Sequence, residues 1–244
     1  MLLALLYHRI GNGRLYNEYA VLRDHLAHIA DRYHIVLPGE PLPPRQCSLC
    51  LTFDDASYDF YHYIFPLLKK YNLRALLAVP VKYINEKASA DTATRLAVPH
   101  YEAMNDGIYQ EKDPFCSWEE LEEMVSTPHV SIASHSYSHA NVALPDVDIE
   151  KELVFSKEVL EKRLGQKVTT FVYPLGRTSK AAHNAVTKHY DRGMRIGGAA
   201  NKDWSNGNDL LYRICCDDMP HHLHPFRRRN RLRYIMKYLA NTIR

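Results

Sequence analysis

Short apolar runs alternate with longer amphipathic stretches along most of the chain, and this alternation limits the possible folds more than any other feature. Residues 2–7, 48–53, 73–79, 130–133 and 168–172 are nearly continuous in apolar or β-forming side chains, the pattern of strands covered on both faces. Shorter strands are predicted at 34–37, 194–196 and 211–215. Between them, 16–33, 58–71, 118–126, 149–164, 179–189 and 229–241 read as helices, and 38–44 as a turn. Strand–helix alternation predicts a mostly parallel sheet or barrel. No internal repeat, low-complexity tract or Gly/Ser linker interrupts it, so one domain over residues 1–244 is expected. The polar stretch 84–116 is long for a connection and is expected to form a lid or one wall of a substrate groove.

Charge is unevenly spread. The formal net charge is +3, yet Arg227, Arg228, Arg229, Arg231, Arg233, Lys237 and Arg244 crowd the last twenty residues with no acid among them. The remainder is mildly acidic. The expected structure is a terminal helix of about 229–241 packed on the body with a solvated basic face. Peripheral contact with an anionic membrane is the second reading. Nucleic-acid binding is not expected from one short basic segment. Five cysteines in no regular framework exclude a disulfide scaffold. Cys47 and Cys50 lie in a strand-like segment and are read as packing groups. No apolar run approaches the roughly 18 residues of a membrane span. With Met1 as the natural start and no basic leader, a cytoplasmic location is expected.

Three polar clusters each follow a predicted strand, and in a parallel barrel those strand ends converge on one face. Asp54-Asp55 places two carboxylates on different sides of an extended segment, one able to ligate a metal while the other takes a proton. Solvated acids opening a helix would explain the pair equally well. His135 and His139 have the spacing that puts two imidazoles on one face of a helical turn. Pro174-Leu175-Gly176 is a turn that can hold a backbone N–H outward, toward an oxyanion, or simply join a strand to a helix.

Together Thr52-Phe53-Asp54-Asp55, His135-Ser136-Tyr137-Ser138-His139 and Pro174-Leu175-Gly176 resemble, in order and placement, the motifs of the polysaccharide deacetylase family, also called the NodB homology or carbohydrate esterase 4 group. The likeness runs from about residue 2 to 214. It implies a distorted (β/α) barrel of about seven parallel strands. It also implies a divalent metal, zinc first and cobalt, manganese, nickel or iron admitted by the same donors, held by Asp55, His135 and His139. Asp54 would be the catalytic base, and the Leu175 N–H would face the oxyanion. The implied reaction is hydrolysis of an N-acetyl group on an amino sugar of a glycan or lipid-linked precursor, releasing acetate. A hydrolase of another amide, such as an imide or ureide, and a catalytically weak glycan-binding module are the rival readings.

The match has three departures. Ala56 replaces the family's usual glycine, which would cost about 1 kcal/mol if that position needs a positive φ. Val172 stands near the place where many members carry an arginine supporting the base, and Arg213 or Arg177 is the expected substitute. The family's late histidine motif, which supplies the acid for the leaving amine, has no clear match. His8 is the first candidate for that acid, ahead of His222 and His224.

Overall fold

The computed structural model describes residues 1–242; Arg244 of the basic tail lies outside them. Strand β1 (Leu2–Tyr7) is buried along its whole length. It is followed by β2 (Arg9–Ile10) and β3 (Tyr16–Asn17), which pair with each other, and by helix α1 (Tyr19–Arg32). That pairing explains why α1 starts later than the periodicity predicts. Next come β4 (His34–Ile35), β5 (Ser48–Phe53), α2 (Phe65–Tyr71), β6 (Ala75–Val79), α3 (Thr92–Ala97), α4 (Ile108–Lys112), α5 (Trp118–Val125) and β7 (Val130–Ser134). The chain closes with α6 (Ser156–Leu164), β8 (Thr170–Val172), α7 (Lys180–His189), β9 (Arg192–Ile196), β10 (Leu210–Cys215) and α8 (Arg228–Thr242).

Seven of these strands form a closed, all-parallel barrel in the order β1-β10-β9-β8-β7-β6-β5, with β1 bonded to both β10 and β5. The expected (β/α) barrel is therefore what the chain adopts. β4 pairs only with Ser48 and Leu49, whereas β6 meets β5 at Thr52 and Phe53. The two share one edge of β5, and β4 fills the lower gap. Arg74 ties this corner by donating to the Ile35 carbonyl at 3.0 Å and to both Glu40 oxygens.

Period-two alternation divides the strands into two faces. Leu2, Ala4, Cys50, Leu76, Ala78, Ala133, Val172, Met194 and Leu211 pack together, while Leu3, Leu5, Leu49, Leu51, Leu77 and Ile132 join the larger core with the helices. The first set is small enough to fill a seven-stranded interior. Cys50 belongs to it, and burial pushes its thiol up to about 12, so the Cys47–Cys50 pair serves packing as expected. Continuing the alternation, Thr52, Asp54 and Arg213 share the inward parity at the upper end.

Two predicted helices carry wide π-type turns, Phe60–Ile64 before α2 and Glu150–Phe155 before α6. Pro66 has no N–H to continue an α ladder, which accounts for the first. Stretch 84–116 is not structureless, since it contains α3 and α4. Buried Arg95 in α3 donates to Asp113 O, Phe115 O and both Glu120 oxygens, and its guanidinium lies 3.4 Å over the Tyr58 ring. Helix α8 rests on the body through buried Tyr234, whose carbonyl accepts from Ala200 N–H at 3.1 Å. No helix among the described residues is long and apolar enough to cross a membrane.

Candidate active site

All three polar clusters reach the same end of the barrel. Asp54 and Asp55 follow β5, His135 follows β7, and Leu175 follows β8. They line a cavity of about 590 Å³ with His8, His139, His100, Tyr101, Arg14 and Arg177. A larger open groove of about 850 Å³ runs along α8 and includes His224, but none of the clustered residues. His222 lies elsewhere, its backbone carbonyl accepting from His25 Nδ1 at 2.5 Å and its ring centroid 6.3 Å from that of His28. Of the three histidines considered as acids, only His8 stands at the cavity.

Asp55 Oδ1 lies 3.5 Å from His135 Nε2 and 3.4 Å from His139 Nε2. One donor atom from each of the three falls within 4.8 Å of the others. The Oδ1 atom is buried and accepts no hydrogen bond, a costly state for an ionised oxygen unless a cation completes it. His135 Nδ1 donates to the Val172 carbonyl at 2.8 Å. That bond fixes the tautomer and leaves Nε2 with a lone pair. Burial outweighs the nearby carboxylates and pushes His135 down to about 4, so the ring is neutral. A buried carboxylate and two imidazoles with free nitrogens fit a divalent metal of the zinc type.

The histidine pair does not sit on a helical turn, as its spacing predicts. Residues 135–140 form an irregular loop in which Ser136 has φ 64° and His139 φ 58°. Glu152 holds that loop, accepting from Ser138 N at 2.8 Å and Ser138 Oγ at 2.6 Å. Left-handed backbone recurs at Asp55 (φ 71°), Ala56 (φ 50°) and Leu175 (φ 58°). Ala56 therefore occupies the conformation in which the missing glycine matters. The strain there is held by Cys116 N–H donating to Ala56 O at 2.7 Å and Tyr58 N–H to Pro114 O at 2.9 Å. At the third cluster, Gly176 has φ 63°, and a Cβ on it would come within 2.9 Å of Ile196 Cβ. The bonds closing that turn run from Gly176 N–H to Tyr173 O and from Arg177 N–H to Pro174 O, and Leu175 N–H takes no part in them.

Asp54 is clamped by Arg213, with Nη1 donating to Oδ1 at 2.6 Å and Nη2 to Oδ2 at 2.8 Å. Arg213 Nη1 also donates to Thr52 Oγ1, which in turn donates to Leu5 O. Arg213, not Arg177, is thus the arginine paired with Asp54. Burial alone would raise the Asp54 carboxyl, but the Arg213 guanidinium, with help from His135, holds it well below the usual carboxylate range. Burial likewise opposes His8. The hydrogen bond and charge of Asp217 outweigh it, and His8 is raised to about 9. His8 Nε2 stands 3.9 Å from Asp54 Oδ2.

Two neighbours escaped the sequence reading. Asp217 follows β10 and could have been found by the strand-end rule that located the other clusters. His100 comes from the 84–116 wall, where no strand-end signal exists. Its Nδ1 lies 3.8 Å from Asp55 Oδ2.

Residues 42–192 match the family model for polysaccharide deacetylase, and the chain belongs to that family. YxkH of Bacillus subtilis (strain 168), described as a polysaccharide deacetylase, is 27% identical over 183 residues, 74% of this chain and 55% of that protein. The poly-β-1,6-N-acetyl-D-glucosamine N-deacetylase of Escherichia coli K12 is 28% identical over 100 residues, 41% of this chain and 13% of that enzyme. The match thus spans about half the length of the first relative. The Streptococcus pyogenes deacetylase PplD, solved in complex with acetate, shares the fold at a TM-score of 0.71 and 22% identity, over 96% of this chain and 97% of that one.

Proposed function

We propose that this chain is a metal-dependent hydrolase that removes an N-acetyl group from an amino sugar of a glycan, releasing acetate and a free amine. The observation that carries the reading is the unpartnered Asp55 Oδ1 between His135 and His139, beside a second carboxylate held ionised by Arg213. Family membership and the relatives' named substrates point the same way.

Asp55, His135 and His139 would hold the ion, which when bound supplies Lewis acidity to the acetyl carbonyl and lowers the pKa of water. Asp54 takes a proton from water as the water oxygen bonds to the amide carbon. Arg213 keeps that carboxylate ionised and fixed between turnovers. The Leu175 N–H faces the oxygen on which charge develops. His8, kept protonated by Asp217, gives its proton to the departing nitrogen as the C–N bond breaks. The cationic His8 and anionic Asp54 therefore divide the acid and base work at neutral pH.

The test is acetate release from N-acetylglucosamine oligomers, including β-1,6-linked ones, by protein stripped with chelator and then given zinc. Release restored by zinc is the expected result. Zinc-loaded protein that releases no acetate from any of them would overturn the reading in favour of another amide substrate or a binding role.

A further inference from the structure

We infer that His100 is a positioning residue for Asp55, and that the β1–α1 connection sets it there. The inference rests on the metal-site reading above. Asp55 presents Oδ1 to His135 and His139, while its other oxygen, Oδ2, faces His100 Nδ1 at 3.8 Å. His100 stands outside the compact group formed by Asp55, His135 and His139, so its role is toward the carboxylate and not as a fourth ligand. Carboxylates that bind metals are commonly oriented by a donor on the oxygen left over, and losing such a partner weakens metal affinity about 10–100-fold.

The placement of His100 is built, not incidental. Its backbone N–H donates to the Tyr16 hydroxyl at 2.9 Å. Two residues earlier, the Val98 carbonyl accepts from Arg9 Nη1 at 2.9 Å. Arg9 is itself buried, paired through Nε with Asp59 at 3.2 Å, and its guanidinium lies 5.5 Å from the Tyr16 ring centroid. The wall made by 84–116 is therefore pinned at 98–100 by two residues that follow β1. A side chain so held keeps Nδ1 3.8 Å from Asp55 Oδ2, just beyond hydrogen-bond length, so a small rotation of the carboxylate toward a cation at Oδ1 would bring Oδ2 onto this donor.

The experiment is a zinc competition titration against a fluorescent chelator on stripped protein, with the melting temperature of each variant recorded. His100→Phe keeps a ring and removes the donor. It should weaken zinc binding about 10–100-fold. His100→Gln returns an N–H and should recover part of that loss. Tyr16→Phe, which frees the His100 backbone and leaves its ring intact, should fall between wild type and His100→Phe. Wild-type affinity in His100→Phe would overturn this inference alone. Failure of the wild type to bind zinc would overturn it together with the metal-site reading. Equal loss in His100→Phe and His100→Gln, both folded, would overturn the donor role.

Discussion

His8 and Asp217, 209 positions apart in sequence, are joined twice: His8 N–H donates to Asp217 Oδ1 at 2.9 Å, and His8 Nδ1 to Asp217 Oδ2 at 2.7 Å. One bond fixes the backbone and the other the ring, so the free nitrogen, Nε2, has one direction to point. An acid raised to about 9 is protonated at neutral pH and loses its proton above that value. The kcat/KM of the wild type should therefore fall on the alkaline side, with a limb at about 9. Asp217→Asn removes the charge that raises His8 and should move that limb to lower pH. A limb that stays in place would exclude His8 as the acid.

Asp54→Asn should lower turnover about 10²–10⁴-fold, the usual contribution of general acid–base catalysis, with zinc affinity near that of wild type. His135→Ala should remove both zinc and turnover. Loss of zinc in the asparagine variant would mean that Asp54 is a ligand and not the base.

Arg213→Leu leaves the Asp54 carboxylate buried without its partner. Breaking a buried pair in this way costs about 3–5 kcal/mol, measurable by denaturant unfolding of stripped protein. In the wild type the folded Asp54 pKa is depressed. Its contribution is thus full above the unfolded value near ~4 and is lost as pH falls toward the folded value. In the variant, burial raises the folded pKa instead, so the deficit should narrow on acidification. A deficit constant from pH 7 to pH 3 would show that the pair is not the cause.

Ala56→Gly relieves a left-handed non-glycine residue at φ 50° in a fully buried position. The gain should be up to about 1 kcal/mol, or roughly 2–4 °C in Tm for a chain of this size. No gain would mean that the 56–58 and 114–116 contacts already hold this backbone at no cost.

Arg95→Met should loosen the 84–116 wall, since one guanidinium satisfies two carbonyls and Glu120 there. We expect KM for glycan oligomers to rise several-fold while kcat changes little. A fall in kcat with KM unchanged would place the wall's role in the chemistry instead.

The barrel was legible because parallel strands covered on both faces read as apolar runs, and Asp54, Asp55, His135, His139 and Leu175 were legible because they sit where such runs end. Arg213 was one of two candidates, and only the three-dimensional register of β1, β5 and β10 chose it over Arg177. His100 was not legible. Nothing local marks it, and its position depends on Tyr16 and Arg9 reaching across from another loop. The shape of 135–140 was misjudged, since spacing alone does not separate a helical turn from a loop whose Ser136 and His139 take positive φ.

β1 is the seam of the ring, bonded to β5 on one side and β10 on the other. The candidate metal ligands follow β5 and β7, away from the β1–β10 border, while His8 and Asp217 face each other across it and Arg213 reaches Asp54 from β10. Unzipping that one border would part His8 from Asp217 and Asp54 from Arg213, yet leave Asp55, His135 and His139 on the continuous arc β5-β6-β7. Mild denaturant should accordingly abolish the proposed deacetylation before it releases zinc loaded onto the protein.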